Sequence, residues 1–349
     1  MGRRAASSWR VSRGHGRIGR QVGDQLLYQR TLKSRVSASG VGLHSGRRVH
    51  FALIPSAPNT GIVFARTDMR GPDGAAIEIP AHAHFVVETK LATTIARDAL
   101  VAGSEVRQQV GVGTVEHLLA ALAGLGVDNA RIELDGPEVP ILDGSSAPFV
   151  QLIRSGGGTV AQSRPKRFLV ITKPIEVRED DRLARLEPAP SFRLQCLIDF
   201  RHPLITEQRR DFIFSDRAFE AEIARARTFG FARDVAAMRA RGLALGGSLE
   251  NAVLIDDYSI QNPEGLRYPD EFVRHKILDA IGDLSLMGAP LVGRYVGVKA
   301  GHMLNTRLVS AVLADRRAWA WQEFRRERDA RGAGLELPAL GLGGRLAAI

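Results

Sequence analysis

The nine residues HKILDAIGD, positions 275–283, decide the reading of this chain. His275, Asp279 and Asp283 recur every four residues, which is one face of an α-helix, while Ile277, Leu278, Ile281 and Leu284 supply the apolar face of a helix packed on a core. Carboxylates set beside a core need a cation or a donor. His275 and Asp279 together offer one imidazole and one carboxylate to a single metal ion, and an imidazolium would satisfy Asp283.

Three further segments supply the remaining parts of a metal-dependent hydrolase. In TVEHLLAAL, positions 114–122, Glu116 and His117 open a helix that continues as an apolar run. A catalytic zinc site keeps three protein ligands and leaves a position for water, so His117 is the natural third ligand beside His275 and Asp279, with Glu116 as general base. In AGHMLN, positions 300–305, His302 follows a strand and is expected on a turn, as general acid. In ARTFGF, positions 226–231, Thr228 carries the hydroxyl for a developing oxyanion, and Phe229 and Phe231 are candidates for a binding wall. Singly, an HxxxD pair or a Glu-His dipeptide is ordinary helix surface; the apolar surroundings of both favour a site.

Working outward, the 349 residues are 44% hydrophobic and 25% charged, a globular composition long enough for two domains. The net charge of +10 is local: residues 1–48 hold 11 of the 48 basic and one of the 38 acidic residues, leaving 37 of each sign elsewhere. A balanced body with 6% aromatics argues against nucleic-acid binding. The single Cys196 excludes an internal disulfide or a cysteine zinc site and fits a reducing cytoplasm. The longest apolar run, 117–127, is too short to span a bilayer, so no transmembrane segment is expected. Residues 1–28 read as a basic solvated arm, the alternative being an organellar targeting segment or peripheral membrane contact, and 331–349 as a loose Gly-rich tail.

The pattern between them is α+β. Short strands near 49–54 and 61–65 precede a buried helix at 115–125, a strand at 130–134 and a helix at 149–153. Glycines 156–158 with 163–166 mark a linker, and the second half repeats the grammar: strands near 168–171, 184–187 and 192–198, helices near 218–225 and 271–287, a strand at 294–299 and a closing helix at 303–321. Two similar domains, 29–165 and 166–330, are expected.

Taken with RTLKSRVSASGVGLHSG near His44, PEVPILDGSSAPF with Asp143, IDFRHPLI, GLALGGSLENAVLIDD and the KAGH segment, these motifs resemble the bacterial UDP-3-O-acyl-N-acetylglucosamine deacetylases over about residues 29–324. The resemblance implies two facing βααβ-type domains, helices between sheets, the site at their interface and an acyl-passage insert over 231–254. It implies one zinc ion on His117, His275 and Asp279, Glu116 as base, and His302 as the acid that protonates the departing amine, held by Asp283. Thr228 is then the oxyanion donor and Lys276 a positive charge near the substrate. It further implies a 3-O-acylated nucleotide sugar as substrate, with Asp199 and Phe200 at the uridine, Lys299 and Lys276 at the diphosphate, and Ala232, Val235, Met238 and Ala244 along the acyl chain. The activity implied is release of acetate from the 2-acetamido group, in lipid A synthesis.

Overall fold

The computed structural model describes residues 27–200, 202–324 and 327–336. Most of the expected arm and the end of the expected tail lie outside them. The fold is α+β and is organised by two five-stranded sheets. The first contains β1 (Val36–Val41), β2 (Arg48–Pro55), β3 (Ile62–Arg70), β4 (Ala76–Pro80) and β5 (Ala130–Leu134), in the order β1-β2-β5-β3-β4. The second contains β6 (Ile175–Glu179), β7 (Arg182–Glu187), β8 (Arg193–Ile198), β9 (Gln208–Ile213) and β10 (Arg294–Val298), in the order β6-β7-β10-β8-β9. The two orders are the same. In each sheet one neighbouring pair is parallel, β3 with β5 and β8 with β10, and the rest are antiparallel.

A parallel pair needs a crossover, usually helical, and both crossovers carry the residues singled out by sequence. Helix α1 (Glu116–Gly124) leads into β5, and α4 (Glu271–Ser285) leads into β10. Each of these strands is followed by another helix, α2 (Ala147–Ser155) and α5 (His302–Ala314). The insert before α4 forms α3 (Ala232–Ala240), beside a parallel pair of short strands, Phe229–Phe231 and Val253–Ile255.

Helices α1 and α4 pack against one another, α4 also lies on β8 and β9, and α5 lies on β6, β7 and α4. Their apolar residues merge into one core that takes Phe51, Phe64, Leu118 and Ile132 from the first half and Leu194, Ile277, Ile281 and Leu308 from the second. Burying each such leucine or isoleucine stabilises by about 1.5–3 kcal/mol. The α1–α4 crossing is closest at Gly282, where a Cβ would stand 2.1 Å from the Glu116 carbonyl oxygen. That glycine lets the start of α1 come against the last turn of α4.

Four local expectations change. Thr159–Pro165, expected within a linker, is a strand antiparallel to Tyr28–Leu32; its mostly outward, polar side chains hid it from a hydrophobicity reading. The closing helix stops at Ala314, because the Asp315 carboxylate accepts the Arg317 N–H and turns the chain, and Trp319–Glu323 pairs as a strand with Arg167–Ile171. His302 is not on a turn but is the first residue of α5, with Gly301 as N-cap. The expected tail is tied down near its start: its first residues end the helix Glu327–Gly332, and Leu335, 8% exposed, joins Leu27, Phe168 and Phe324 in a small apolar cluster. No helix among the described residues is long and apolar enough to cross a membrane.

Candidate active site

At the N-terminal ends of α1 and α5 and along α4 the two halves enclose a cavity of about 970 Å³ lined by Glu116, His117, Thr228, Phe229, Phe231, His275, Lys276, Asp279, Phe200 and His302. A smaller recess of about 300 Å³ lies past the other end of α1, among Leu122, Val127, Phe168 and Leu284, and holds none of these groups. The chemistry therefore belongs to the larger one.

His117, His275 and Asp279 each turn a ligand atom to a common point, all within 4.8 Å of one another. Asp279 Oδ1 lies 3.5 Å from His117 Nε2 and 3.3 Å from His275 Nε2, close to the edge of about 3.4 Å that a tetrahedral ion with bonds near 2.1 Å requires. Oδ1 is buried and has no hydrogen-bond partner among the described residues, as an oxygen reserved for a cation would be. Its other oxygen accepts from Lys276 Nζ at 2.8 Å. The His275 Nδ1–H donates to the Ala226 carbonyl at 3.0 Å, which turns the Nε2 lone pair inward. Behind His117, the Ser146 hydroxyl donates to its carbonyl oxygen. These residues fit a divalent metal ion with imidazole and carboxylate ligands.

Electrostatics separates the histidines. Burial, opposed by Asp279, pushes His275 down to about 3, so its ring is neutral at pH 7 and its lone pair available. Burial also penalises the His302 cation, yet Asp283, Asp279 and Glu116 outweigh it and raise His302 to about 9. The pairing is direct, His302 Nδ1 to Asp283 Oδ2 at 2.9 Å, and it also overcomes the start of α5, whose dipole disfavours a cation. Burial drives the Asp279 carboxyl up, but His275, Lys276 and His302 together hold it well below the ordinary range. Glu116, fully enclosed, is raised by burial despite His302 and His117. Its Oε1 stands 3.8 Å from His302 Nε2, and its Oε2 accepts the Thr93 backbone N–H at 3.0 Å.

Thr228 is fixed by its backbone: its N–H donates to the Gly144 carbonyl, and its own carbonyl accepts from Val253. Gly144 sits at φ 83°, and a side chain there would strike the Asn251 carbonyl oxygen at 2.0 Å, so the turn in ILDGSS needs glycine. Phe200, Phe229 and Phe231 form an aromatic wall with ring centres 5.4 and 5.9 Å from Phe200. Val235, Met238 and Ala244 line the cavity with Leu43, Leu243 and Leu254, whereas Ala232 does not. Lys299 and Asp199 are also absent from the lining. They pair with one another at 3.0 Å, and Lys299 reaches Asp181 at 2.8 Å.

Sequence reasoning missed the groups that hold Asp283. The Thr93 hydroxyl donates to its Oδ1 at 2.6 Å and the Asn305 amide to its Oδ2 at 2.9 Å, while Tyr295 donates to Asn305 Oδ1 at 2.6 Å. Asn305 lies one turn after His302 in AGHMLN and was open to detection by helical spacing. Thr93 reaches Asp283 only through the tertiary fold.

Residues 29–314 match the model of the LpxC family, described as UDP-3-O-acyl N-acetylglycosamine deacetylase. The chain is 54% identical over 312 residues to the UDP-3-O-acyl-N-acetylglucosamine deacetylase of Myxococcus xanthus (strain DK1622), covering 89% of this chain and 94% of that one. It is 50% identical over 314 residues to the protein of that name from Anaeromyxobacter dehalogenans (strain 2CP-C), covering 90% and 96%. Against the Shewanella oneidensis protein of the same name, identity is 48% over 307 residues, with 87% and 96% covered.

Proposed function

Because this chain belongs to the family of UDP-3-O-acyl-N-acetylglucosamine deacetylases, we propose that it hydrolyses the 2-acetamido group of such a sugar at a zinc ion held by His117, His275 and Asp279. The reaction releases acetate and a free amine, a step of lipid A biosynthesis. The observation that carries the metal reading is the buried, unpartnered Asp279 Oδ1 between two imidazole nitrogens. A bound zinc ion supplies Lewis acidity, polarising the acetamide carbonyl and the attacking water.

The chain's own groups do the rest. Glu116, a carboxylate whose proton affinity burial has raised, takes the proton from water as it adds to the carbonyl carbon. Thr228 donates to the oxyanion that develops. His302, held as imidazolium by Asp283, gives its proton to the nitrogen as the carbon–nitrogen bond breaks. Lys276 keeps the Asp279 carboxylate ionised and adds positive charge at the same wall. The acyl chain fits the apolar side under Val235, Met238 and Leu254, and Phe200 with its aromatic neighbours offers a stacking face to the nucleotide. Lys299 and Asp199, which pair with one another at 3.0 Å, are read as contacts to the diphosphate and the uridine. The two halves, 29–165 and 166–330, are read as two domains, with the protein placed in the cytoplasm and no nucleic-acid partner.

The pH dependence of acetate release tests the acid and the base. Glu116 must be ionised, so activity is lost as pH falls through its raised pKa. His302 must be protonated, so activity is lost as pH rises, at or below about 9, because a metal cation opposes Asp283. Asp283→Asn removes the largest contribution raising His302, so its alkaline limb moves to lower pH. An unmoved alkaline limb contradicts His302 as the acid.

A further inference from the structure

We infer that Thr93 is a positioning residue that fixes the general base and the general acid relative to one another, through two different groups of one amino acid. The inference rests on Glu116 and His302 being that base and acid. Thr93 is 0% exposed and is not among the cavity-lining residues, so it has no route to touch the substrate. Its backbone clamps the start of α1: its N–H donates to Glu116 Oε2 at 3.0 Å, and its carbonyl accepts the Val115 N–H at 3.2 Å. Its hydroxyl crosses to the other half of the molecule and donates to Asp283 Oδ1 at 2.6 Å.

Asp283 Oδ2 is already used twice, by His302 Nδ1 and Asn305 Nδ2. Among the described residues the hydrogen bond to Oδ1 comes from Thr93. A carboxylate held at both oxygens cannot rotate, so its plane, and with it the imidazole of His302, is fixed with respect to Glu116 Oε1 3.8 Å away. Without the hydroxyl, Oδ1 is a buried charged acceptor with no donor, and the carboxylate is free to turn toward another. Because Gly282 brings the Glu116 backbone against α4 just before Asp283, Thr93 closes a short loop: α1, the segment before Thr94–Leu100, and α4. Base and acid come from different halves, and a displacement of either by 1 Å is enough to cost a large factor in rate.

The test compares Thr93→Val, which keeps the shape and removes the hydroxyl, with Thr93→Ser, which restores it, both in the full-length metal-loaded enzyme. The backbone bonds to Glu116 and Val115 survive in both. Thr93→Val is expected to lower kcat by roughly ten- to a hundredfold, the scale of rate loss when catalytic groups are displaced by about 1 Å. KM and metal content stay unchanged, and Thr93→Ser recovers most of the loss. Should the valine variant not fold, Thr93→Ala removes the hydroxyl with less bulk, and the same comparison is made with it. Undiminished kcat in the folded variant without the hydroxyl overturns the inference, as does an equal loss in Thr93→Ser or a loss that appears in KM or metal content instead. If the unaltered enzyme releases no acetate, the underlying reading fails. Active enzyme whose kcat ignores the hydroxyl defeats this inference alone.

Discussion

Glu116→Gln lowers acetate release by roughly a hundred- to ten-thousandfold while the metal stays bound, the range expected when a general base is removed. The carboxamide has nearly the same shape, and its oxygen still accepts the Thr93 N–H, so the start of α1 is held as before. What disappears is the ability to take a proton. Glu116 is not among the three residues whose ligand atoms converge, so metal content measured by atomic absorption remains at the unaltered level. Burial has already raised its pKa, which makes its ionised form a stronger base than an exposed carboxylate. A Glu116→Gln enzyme with full activity contradicts that role.

His275→Ala loses both metal and activity. Two orienting features converge on this ring: the Ala226 carbonyl holds its Nδ1–H, and burial keeps the ring neutral by pushing it down to about 3. Alanine removes the ligand and leaves Asp279 Oδ1 and His117 facing a gap. A site reduced to one imidazole and one carboxylate does not retain the ion through dialysis. The ring also packs edge-on against His117, with centres 4.9 Å apart, so some stability goes with it. Metal content and thermal unfolding are therefore read separately. Retention of one metal ion per chain in the folded variant contradicts the ligand set.

The α4 sequence carried much of this in one dimension. The spacing of His275, Asp279 and Asp283 gives the face, and the apolar residues between them give the burial that raises the stakes for each carboxylate. Helical and strand periods likewise placed Glu116–Gly124 and Ala130–Leu134 within a residue or two. The strand Thr159–Pro165 carries little apolar alternation, since its partner Tyr28–Leu32 meets its backbone and the Thr159 hydroxyl, and Trp319–Glu323 follows a helix whose end depends on one side chain, Asp315. Such elements are decided by tertiary pairing.

The same distinction divides the site. Motif residues on helices announce themselves by spacing, but Thr93 acts through one hydroxyl and one N–H that only the packing of α1 on α4 brings to Asp283 and Glu116. The shared strand order of the two sheets was also invisible to sequence comparison of the halves. Strand order is set by which edges pair and by the crossover helices, and many side-chain sets satisfy those demands. The Asp181 and Asp199 partners of Lys299 are likewise brought to it by the fold and not by spacing in the sequence.

The central claim is that this cavity removes acetate from a UDP-3-O-acyl-N-acetylglucosamine with zinc on His117, His275 and Asp279. It is tested most directly by measuring acetate release from that substrate by the purified protein as prepared, after chelation, and after return of one equivalent of zinc. The account predicts activity that disappears with the metal and returns with it. Folded, zinc-loaded protein that releases no acetate, or activity indifferent to chelation in protein shown to be metal-free, would contradict it.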